Sequence, residues 1–520
     1  DEVYAPERLI DMASKHFKKK EDNRSMTEKA KDFATENMFT KKIIFQKARE
    51  SVLKKTKGFY QAPLKILDVM EAGVLKGRSA YLTSEAQAFG ELCIGEQSKN
   101  LRHIFFLMEG AKKLDDAKGV SRKLNRGACL GAGVMGGGIA WLMAKTDMFP
   151  IMKDLNQVGL ELGLKQASNN FSGALKRKRM SQDDFERKMR SITPQTNYHG
   201  FNRVDLVIEA VIENMDIKKK VFAETEDYVS KDCILTSNTS SLSIQEMAGA
   251  LKDPSRFAGL HFFNPVHLMP LVEIIKHDGV SDETIESLYD WVLKAKKTPV
   301  VVNDGPGFLV NRILMPYMNE AGFLLEEGVA LKDIDDACLN FGMPMGPFRL
   351  LDEVGIDVGD KVAKIIHDGL GDRVASNGIG KKMLEKEFLG KKNAKGFYLY
   401  DEKGKVSGRN EEANKILPKA SKKMSEIEIQ KRIFLPMINE AATTLADGIV
   451  AKAKDVDLGL IFGIGFPPFR GGLLKYADSH GLVRIKEEME KFAQEVSADR
   501  YTPCDLINKL ASEDSSFYDL

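Results

Sequence analysis

The sequence predicts an α/β domain with a mostly parallel sheet, preceded by a helical segment and followed by two copies of an all-helical domain. Three observations lead to this fold class. Between Arg126 and Asp304, short apolar runs alternate with helical segments. A glycine-rich turn follows the first of these runs, and beyond Asp304 a helical pattern recurs after about 120 residues. At roughly 150 residues per domain, the 520 residues fit three or four domains.

Charge and composition exclude several classes of protein. The chain has 77 basic and 75 acidic residues, and this net charge of +2 argues against nucleic-acid binding through bulk charge. Five widely separated cysteines without a CxxC pair predict neither a disulfide framework nor a zinc site, so no bound metal is expected. The longest apolar stretch, residues 128–144, includes five glycines and is shorter than the roughly 20 residues of a spanning helix. No integral membrane segment is therefore predicted.

Residues 1–122 are rich in Lys and Glu, with apolar residues at helical spacing and no strand alternation. Ile43, Ile44, Ala48 and Val52 are expected to form one buried stripe. The chain begins Asp-Glu-Val-Tyr, without methionine and without a basic-then-apolar leader. We therefore interpret it as a fragment of a longer protein, with a helical remnant at its start.

The predicted sheet is built from seven apolar runs. These are Ala128–Leu130, Phe149–Met152, Val204–Val211, Cys233–Thr236, Phe257–Phe263, Leu271–Ile275 and Pro299–Val302. About 50 residues separate Asp154 from Val204, which is too many for a single crossover helix. We expect two helices that form a hairpin there.

The region after Asp304 is a sequence duplication. Arg312–Ala321 matches Arg432–Ala441 at an offset of 120, and Phe341 matches Phe462 at an offset of 121. Two copies of one helical domain are therefore predicted. The expected domains span residues 1–122, 123–304, 305–405 and 406–520.

The glycine-rich turn has the GxGxxG pattern of a Rossmann dinucleotide-binding domain at Gly131, Gly133 and Gly136. The first glycine permits a tight turn, the second lets the backbone approach a pyrophosphate, and the third allows close packing of helix on strand. Asp154 ends the second strand about 20 residues later, where the ribose hydroxyls should lie. Its carboxylate would repel a 2′-phosphate, so NAD is predicted rather than NADP.

A histidine and a glutamate lie in two of the predicted strands. His261 lies near the end of one strand, and Glu273 is a charge within the next apolar run. A carboxylate in an apolar run needs a partner, because burying an unpaired charge is costly. We predict a His–Glu dyad in which His261 takes the hydroxyl proton as hydride leaves. The alternative is that His261 is a structural histidine.

Two polar segments end neighbouring elements. Residues 236–241, Thr-Ser-Asn-Thr-Ser-Ser, follow a strand, and residues 304–312, Asp-Gly-Pro-Gly-Phe-Leu-Val-Asn-Arg, open a helix. They could supply hydrogen-bond donors to a substrate. The first could equally be a Ser/Thr helix cap, and Pro306 could simply start a helix in its first turn.

Five motifs together carry a resemblance to a known family. They are Gly-Ala-Gly-Val-Met-Gly at 131–136, Ile-Glu-Ala-Val-Ile-Glu at 208–213, Ser-Asn-Thr-Ser at 237–240, His-Phe-Phe-Asn-Pro at 261–265 and Gly-Pro-Gly-Phe-Leu-Val-Asn-Arg at 305–312. In this order and spacing they resemble the L-3-hydroxyacyl-CoA dehydrogenases. The duplicated helical domain resembles more narrowly the multifunctional α-subunits of fatty-acid β-oxidation complexes, and the likeness covers essentially the whole chain.

The resemblance implies specific roles for residues of this chain. It makes His261 the catalytic base and Glu273 its partner, and it assigns Ser240 and Asn311 to the substrate's reacting oxygen. The residues that it implies for NAD are Gly131, Gly133, Met135, Gly136, Asp154, Val211, Ile212, Glu213, Lys218, Ser240 and Asn264. The basic run 176–179, with Arg177 and Lys178, would lie near the CoA phosphates, although a solvated helix face is an alternative for such a run. Phe462 occupies a position where some relatives have a substrate-contacting tyrosine.

The resemblance also implies NAD-dependent oxidation of (S)-3-hydroxyacyl-CoA to 3-oxoacyl-CoA in fatty-acid β-oxidation. It implies a thiolase β-subunit as partner, an enoyl-CoA hydratase module in the parent protein, and a cytoplasmic location in bacteria or the mitochondrial matrix or peroxisome in eukaryotes. Two alternatives remain open at this point. The chain could be a Rossmann dehydrogenase of another hydroxy acid, or a non-catalytic scaffold that docks a thiolase. The second helical copy is expected to act as an internal packing partner of the first.

Overall fold

The computed structural model describes residues 38–375 and 377–520, together with residues 10, 12 and 14. The rest of the segment predicted as helical before residue 38 lies outside the described residues. The chain divides into two compact units, residues 1–99 and 100–520. The predicted domain boundaries at residues 122, 304 and 405 stay predictions.

The first unit is helical where the structure describes it. Its helices are α1 (Met38–Thr56), α2 (Gln61–Lys76) and α3 (Arg78–Ile94), and α4 (Glu96–Gly110) continues past its end. The buried stripe of α1 was predicted partly wrongly. It consists of the buried Phe45 and the half-buried Ala48 and Val52, whereas Ile43 and Ile44 are exposed. Phe45, Ala48 and Val52 are three and four residues apart and share a helix face, whereas Ile43 is two residues from Phe45 and lies off that face.

The second unit contains the predicted α/β domain. Its eight-stranded sheet has the order β3-β2-β1-β4-β5-β6-β7-β8. The strands are β1 (Gly127–Leu130), β2 (Ile151–Lys153), β3 (Thr193–Gln195), β4 (Leu206–Glu209), β5 (Ile234–Ser237), β6 (Phe257–Phe262), β7 (Leu271–Lys276) and β8 (Thr298–Asn303). Seven of these strands coincide with the seven predicted apolar runs. Because β1 and β4 are buried along their whole length, they present continuous apolar runs rather than alternation.

The sheet departs from the prediction in two places. The prediction missed β3, which has the sequence Thr-Pro-Gln, is largely exposed and forms the edge of the sheet beside β2. An edge strand of three residues, two of them polar and one a proline, gives no alternating or continuous apolar pattern. In addition, β6 and β7 pair antiparallel, while the other neighbouring strands of this sheet pair parallel.

Helices connect the strands. They are α5 (Val134–Lys145), α6 (Gln157–Lys176), α7 (Gln182–Arg190), α8 (Met215–Glu226), α9 (Ile244–Ala248) and α10 (Asp282–Lys294). The two helices predicted between Asp154 and Val204 are α6 and α7. Each begins at a side-chain cap, since Asn156 accepts a hydrogen bond from Gly159 N and Ser181 accepts one from Asp184 N.

The C-terminal region consists of two sets of helices. The first set is α11 (Val310–Glu326), α12 (Leu331–Phe341), α13 (Pro347–Val354), α14 (Ile356–Leu370) and α15 (Ile379–Leu384). After α16 (Glu411–Ile416), the second set is α17 (Glu426–Ala446), α18 (Ala453–Gly463), α19 (Leu473–His480), α20 (Leu482–Glu495), α21 (Ala498–Tyr501) and α22 (Asp505–Ser512). We call them copy 1 and copy 2. Helix α11 packs along α17, and both contribute to one large apolar core.

A small antiparallel hairpin was missed in the region predicted as all-helical. It comprises β9 (Tyr398–Tyr400) and β10 (Val406–Arg409). The buried Asp352 carboxylate of α13 holds its start, because it accepts hydrogen bonds from the backbone N–H groups of Phe397 and Tyr398 at 2.9 Å each. Such a three-residue strand, fixed by a distant carboxylate, has no local sequence pattern.

The two copies exchange buried ion pairs with each other. Arg312 of copy 1 contacts Glu440 of copy 2 at 2.6 Å, and Arg432 of copy 2 contacts Glu320 of copy 1, with 2.7 Å from Nε to Oε1. The members of these two pairs correspond at the offset of 120 found in the sequence. The copies therefore pack as an internal pseudo-dimer, in which each copy supplies the arginine that neutralises the other's buried glutamate.

Membrane-spanning helices and metal-ligand clusters are both absent from the part of the chain that the structure describes. None of the helices that the structure describes is long and apolar enough to span a membrane. Within the same residues, no group of His, Cys, Asp and Glu side chains is arranged to hold a metal ion.

Candidate active site

The glycine-rich turn between β1 and α5 has the geometry that its spacing predicts. Gly131 has φ of +90°, and a Cβ there would lie 2.5 Å from Ala210 O. A Cβ on Gly136 would lie 1.9 Å from Gly131 O, so helix and turn are in direct backbone contact. A Cβ on Gly133, by contrast, would meet no heavy atom of the described residues within 4 Å beyond its chain neighbours. The turn is thus closed on two sides and open at Gly133, where the backbone can approach a phosphate.

Asp154 follows β2, at the same edge of the sheet as this turn. Its carboxylate accepts hydrogen bonds from Ala132 N and Leu155 N, both at 2.7 Å. The bond to Ala132 fixes the carboxylate against the glycine-rich turn. Met135, in the first turn of α5, is half-buried. This arrangement fits a dinucleotide, with the pyrophosphate at the start of α5 and the ribose near Asp154.

His261 and Glu273 form a buried pair. They are directly opposite each other in the antiparallel register of β6 and β7, and His261 Nδ1 lies 2.6 Å from Glu273 Oε2. His261 is 4% exposed and Glu273 is fully buried. The carboxylate fixes the imidazole tautomer in which Nδ1 carries the proton, so Nε2 is the nitrogen that can accept another. None of the described residues forms a hydrogen bond with Nε2.

The second oxygen of Glu273 is held by the start of α11. Oε1 accepts hydrogen bonds from the backbone N–H groups of Leu309, at 3.3 Å, and Val310, at 2.9 Å. A helix N-terminus stabilises a negative charge, because its first N–H groups lack partners within the helix. The dyad is therefore joined to the first helix of copy 1, a connection that the sequence analysis did not predict.

The start of this helix differs from the prediction. Pro306 was considered for its first turn, but α11 begins at Val310. Gly307 and Phe308 have φ of +74° and +54°, which interrupts the chain before the helix can form. The side chain of Asp304 instead accepts a hydrogen bond from Ser243 Oγ at 2.8 Å.

Ser240 and Asn311 lie next to each other. Asn311 Nδ2 donates to the backbone oxygen of Ser240 over 2.9 Å. Glu213 holds the same segment from the other side, because its Oε1 accepts from Ser240 N at 3.0 Å and from Thr239 Oγ1 at 2.6 Å. The Ser/Thr segment thus contains both a turn closed by Thr239 and a half-exposed serine beside Asn311.

Lys218 is buried next to the turn that the resemblance implies for NAD, and its role in binding the cofactor stays a prediction. It is 1% exposed, and its ammonium lies 2.7 Å from Glu209 and 3.3 Å from Glu213. Glu209, fully buried at the end of β4, also accepts hydrogen bonds from Ser237 Oγ and Val211 N. Lys218 therefore lies beneath the turn of residues 211–213, where it neutralises two carboxylates. The side chains of Ile212 and Asn264 are exposed.

The basic residues Arg177 and Lys178 follow the end of α6 and are exposed. The positive charge of Arg177 affects the pKa of His267, which lies in the loop after β6. Burial lowers the pKa of His267 below its usual value, and the charges of Lys297 and Arg177 lower it further. Burial also lowers the pKa of Lys297 to about 8, and its ammonium donates to the Met269 carbonyl at 2.5 Å. The loop after β6 thus lies near two positive charges, those of Arg177 and Lys297.

The chain matches two family descriptions along most of its described length. Residues 127–305 match the 3-hydroxyacyl-CoA dehydrogenase NAD binding domain, and residues 307–400 and 429–516 match the C-terminal domain of that family. The chain belongs to the 3-hydroxyacyl-CoA dehydrogenase family. The C-terminal domain matches twice, once in each helical copy. Membership makes the glycine-rich turn part of an NAD-binding domain.

The chain is also similar to curated relatives and to solved structures whose names fit this family. The fatty acid oxidation complex subunit alpha of Idiomarina loihiensis is 42% identical over 485 residues, which are 92% of this chain and 68% of the relative. The protein of the same name from Vibrio campbellii is 38% identical over 98% of this chain and 73% of its own length. The structure of 3-hydroxybutyryl-CoA dehydrogenase from Escherichia coli has a TM-score of 0.66 at 26% identity, covering 76% of this chain and 99% of that one. The dehydrogenase part of multifunctional enzyme 1 from Caenorhabditis elegans has a TM-score of 0.57 at 25% identity, covering 79% and 99%.

Proposed function

We propose that this NAD-dependent 3-hydroxyacyl-CoA dehydrogenase oxidises the (S)-3-hydroxyl of an acyl-CoA to a 3-oxo group, with His261 as the general base. The observation that carries the assignment is the 2.6 Å contact between His261 Nδ1 and the buried Glu273. Bound NAD⁺ supplies the hydride acceptor. His261 Nε2 takes the hydroxyl proton, and the Glu273 carboxylate stabilises the imidazolium that results.

The substrate oxygen is positioned by the polar groups beside the dyad. We assign Ser240 Oγ and the Asn311 amide to this role, because Asn311 is fixed by its hydrogen bond to Ser240 O. Hydrogen-bond donors to the substrate's C3 oxygen orient the hydroxyl group toward His261. In the reverse reaction they stabilise the negative charge that develops on this oxygen. Arg177 and Lys178, together with the positive charge near His267, would attract the CoA phosphates.

A direct assay separates this function from its rivals. We expect the chain to consume NADH with acetoacetyl-CoA, followed by the loss of NADH absorbance, because the dyad can return the proton to a 3-oxo group. A dehydrogenase of another hydroxy acid would ignore this thioester. A non-catalytic scaffold would give no turnover with any hydroxyacyl-CoA, and that result would overturn the proposal.

Cofactor choice provides a second test. Asp154→Asn is expected to lower the ratio of kcat/KM for NAD⁺ over NADP⁺ by about tenfold, because removing this charge relieves its repulsion of a 2′-phosphate. The amide keeps the shape and an acceptor for Ala132 N. The measurement is steady-state kinetics with both cofactors, and Asp183→Asn at the exposed start of α7 is the matched control. An unchanged ratio would remove Asp154 from cofactor selection.

A thiolase β-subunit is our proposed partner. The relatives from Idiomarina loihiensis and Vibrio campbellii are named as subunits of a fatty acid oxidation complex. A thiolase would consume the 3-oxoacyl-CoA product, and pulling down the tagged chain with a purified thiolase tests for the complex. The hydratase activity of a longer parent protein and the cellular location stay predictions from the resemblance.

A further inference from the structure

The two helical copies correspond beyond the segment in which their sequences match. Helices α13 and α19 have eight residues each, and each ends at one glycine: Gly355 with φ, ψ of 99°, 124° and Gly481 with 83°, 122°. In both copies, an aspartate of this helix accepts a hydrogen bond from a phenylalanine N–H, Asp352 from Phe397 and Asp478 from Phe517, at 2.9 Å each. The offset between these helices is therefore 126 residues, so each residue of α13 and of α14 up to Gly369 has a counterpart in α19 or α20.

Copy 2 has a cavity of about 160 Å³ along α17, at its contact with α19 and α20. The side chains that matter here are Lys431, Phe434, Tyr476, His480, Arg484 and Glu488. At the offset of 120 for α11 and α17, Lys431 is the counterpart of Asn311. The cavity of copy 2 thus borders Lys431, whose counterpart in copy 1 is the proposed substrate-binding residue Asn311.

Apart from Asn311, the positions of copy 1 that correspond to these side chains are apolar. The counterparts of His480, Arg484 and Glu488 are Val354, Val358 and Val362, and those of Phe434 and Tyr476 are Leu314 and Leu350. Helix α11 packs against both α13 and α14, so the arrangement of the helices is the same. Val354 is 51% exposed and Val358 is 43% exposed. Copy 1 therefore presents exposed aliphatic side chains where copy 2 has charged ones.

We propose that this strip of copy 1, formed by Leu314, Leu350, Val354, Val358 and Val362, binds the acyl tail of the CoA thioester beyond Asn311. The inference rests on the proposed function, since it places the reacting carbon beside Asn311. Each methylene that leaves water for such a surface strengthens binding about fourfold. The strip is thus the part of the site that favours long acyl chains.

Copy 2 is closed to an alkyl chain at the same positions. Lys431 lies 2.8 Å from Glu488, and Arg484 lies 3.1 Å from the same carboxylate. An alkyl chain placed there would separate or desolvate these ions without replacing their partners. The duplication has therefore diverged, with one copy apolar beside the substrate position and the other polar.

The experiment transfers the polar residues of copy 2 into copy 1. The double variant Val354→His, Val358→Arg is assayed for reduction of acetoacetyl-CoA and of 3-oxohexadecanoyl-CoA by NADH. We expect kcat/KM for the long substrate to fall at least tenfold, mainly through KM, and kcat/KM for acetoacetyl-CoA to stay within about twofold. The reciprocal double variant His480→Val, Arg484→Val in copy 2 is the control and is expected to leave both values unchanged.

The outcomes separate this inference from the proposed function. An equal loss of kcat/KM for both substrates, or no loss for the long one, would contradict the proposal that the strip binds the acyl tail. The proposed function would then still stand. If the double variant fails to fold, Val358→Arg alone is measured by the same ratio of the two substrates. Failure of the unmodified chain to reduce acetoacetyl-CoA would overturn the proposed function itself, and the acyl strip with it.

Discussion

Replacement of His261 by alanine is expected to lower kcat by about 10²–10⁴-fold, the usual worth of a positioned general base. The alanine removes the nitrogen that takes the hydroxyl proton, and water cannot replace it with the same geometry. Glu273 keeps its hydrogen bonds from Leu309 N and Val310 N, so the start of α11 stays in place. The measurement is steady-state oxidation of a 3-hydroxyacyl-CoA, with NADH binding followed separately by its fluorescence.

The affinity for NADH is the internal control, since it should stay near that of the unmodified chain. His199→Ala provides a matched substitution at an exposed histidine and should leave kcat unchanged. Near-normal turnover by His261→Ala would show that another group takes the proton. If His261→Ala lost both NADH binding and turnover, His261 would be a structural histidine, which is the alternative that the sequence left open.

Replacement of Arg432 by alanine is expected to destabilise the C-terminal region by about 3 kcal/mol, because the buried Glu320 loses this arginine and keeps only its ion pair with Arg500 on the other oxygen. Arg432 is 2% exposed and Glu320 is 1% exposed. The guanidinium of Arg432 also contacts Glu327 at 2.6 Å. In addition, its Nε donates a hydrogen bond to the Tyr501 hydroxyl at 2.9 Å. The measurement is chemical denaturation followed by circular dichroism, comparing midpoints and slopes with those of the unmodified chain.

An exposed ion pair supplies the control for this prediction. Arg190 is paired with Glu186 at 3.1 Å, but its side chain is 81% exposed, so Arg190→Ala should change stability by about 0–1 kcal/mol. Arg312→Ala removes the reciprocal pair and should resemble Arg432→Ala. A change below 1 kcal/mol for Arg432→Ala would mean that the exchanged ion pairs do not hold the two copies together.

The fold could be predicted to a large extent because its signals are local. Seven strands were visible as buried apolar runs, and the glycine-rich turn specified its three backbone positions. The elements that escaped prediction lack such a pattern. The strand β3 is a polar edge of three residues, and the hairpin of β9 and β10 is held by Asp352, more than forty residues earlier in the chain.

The sequence by itself determined the family, through motifs whose residue types and spacing are set by the chemistry of the dinucleotide turn and the histidine strand. It also revealed the duplication and proposed that His261 and Glu273 work together. The tertiary structure alone decided how they meet. The antiparallel register of β6 and β7 places them opposite each other, and the start of α11 holds the second oxygen of Glu273.

The exchange between Arg312 and Arg432 likewise belongs to the tertiary structure. In the sequence, each arginine lies eight residues before a glutamate of its own copy, and nothing there shows that it neutralises the glutamate of the other copy. Helix packing brings together residues more than one hundred positions apart, and the burial of both charges makes the loss of either arginine costly. Helix and strand patterns depend on neighbouring residues in the sequence, whereas the ion-pair partner of a buried side chain depends on how the whole chain packs.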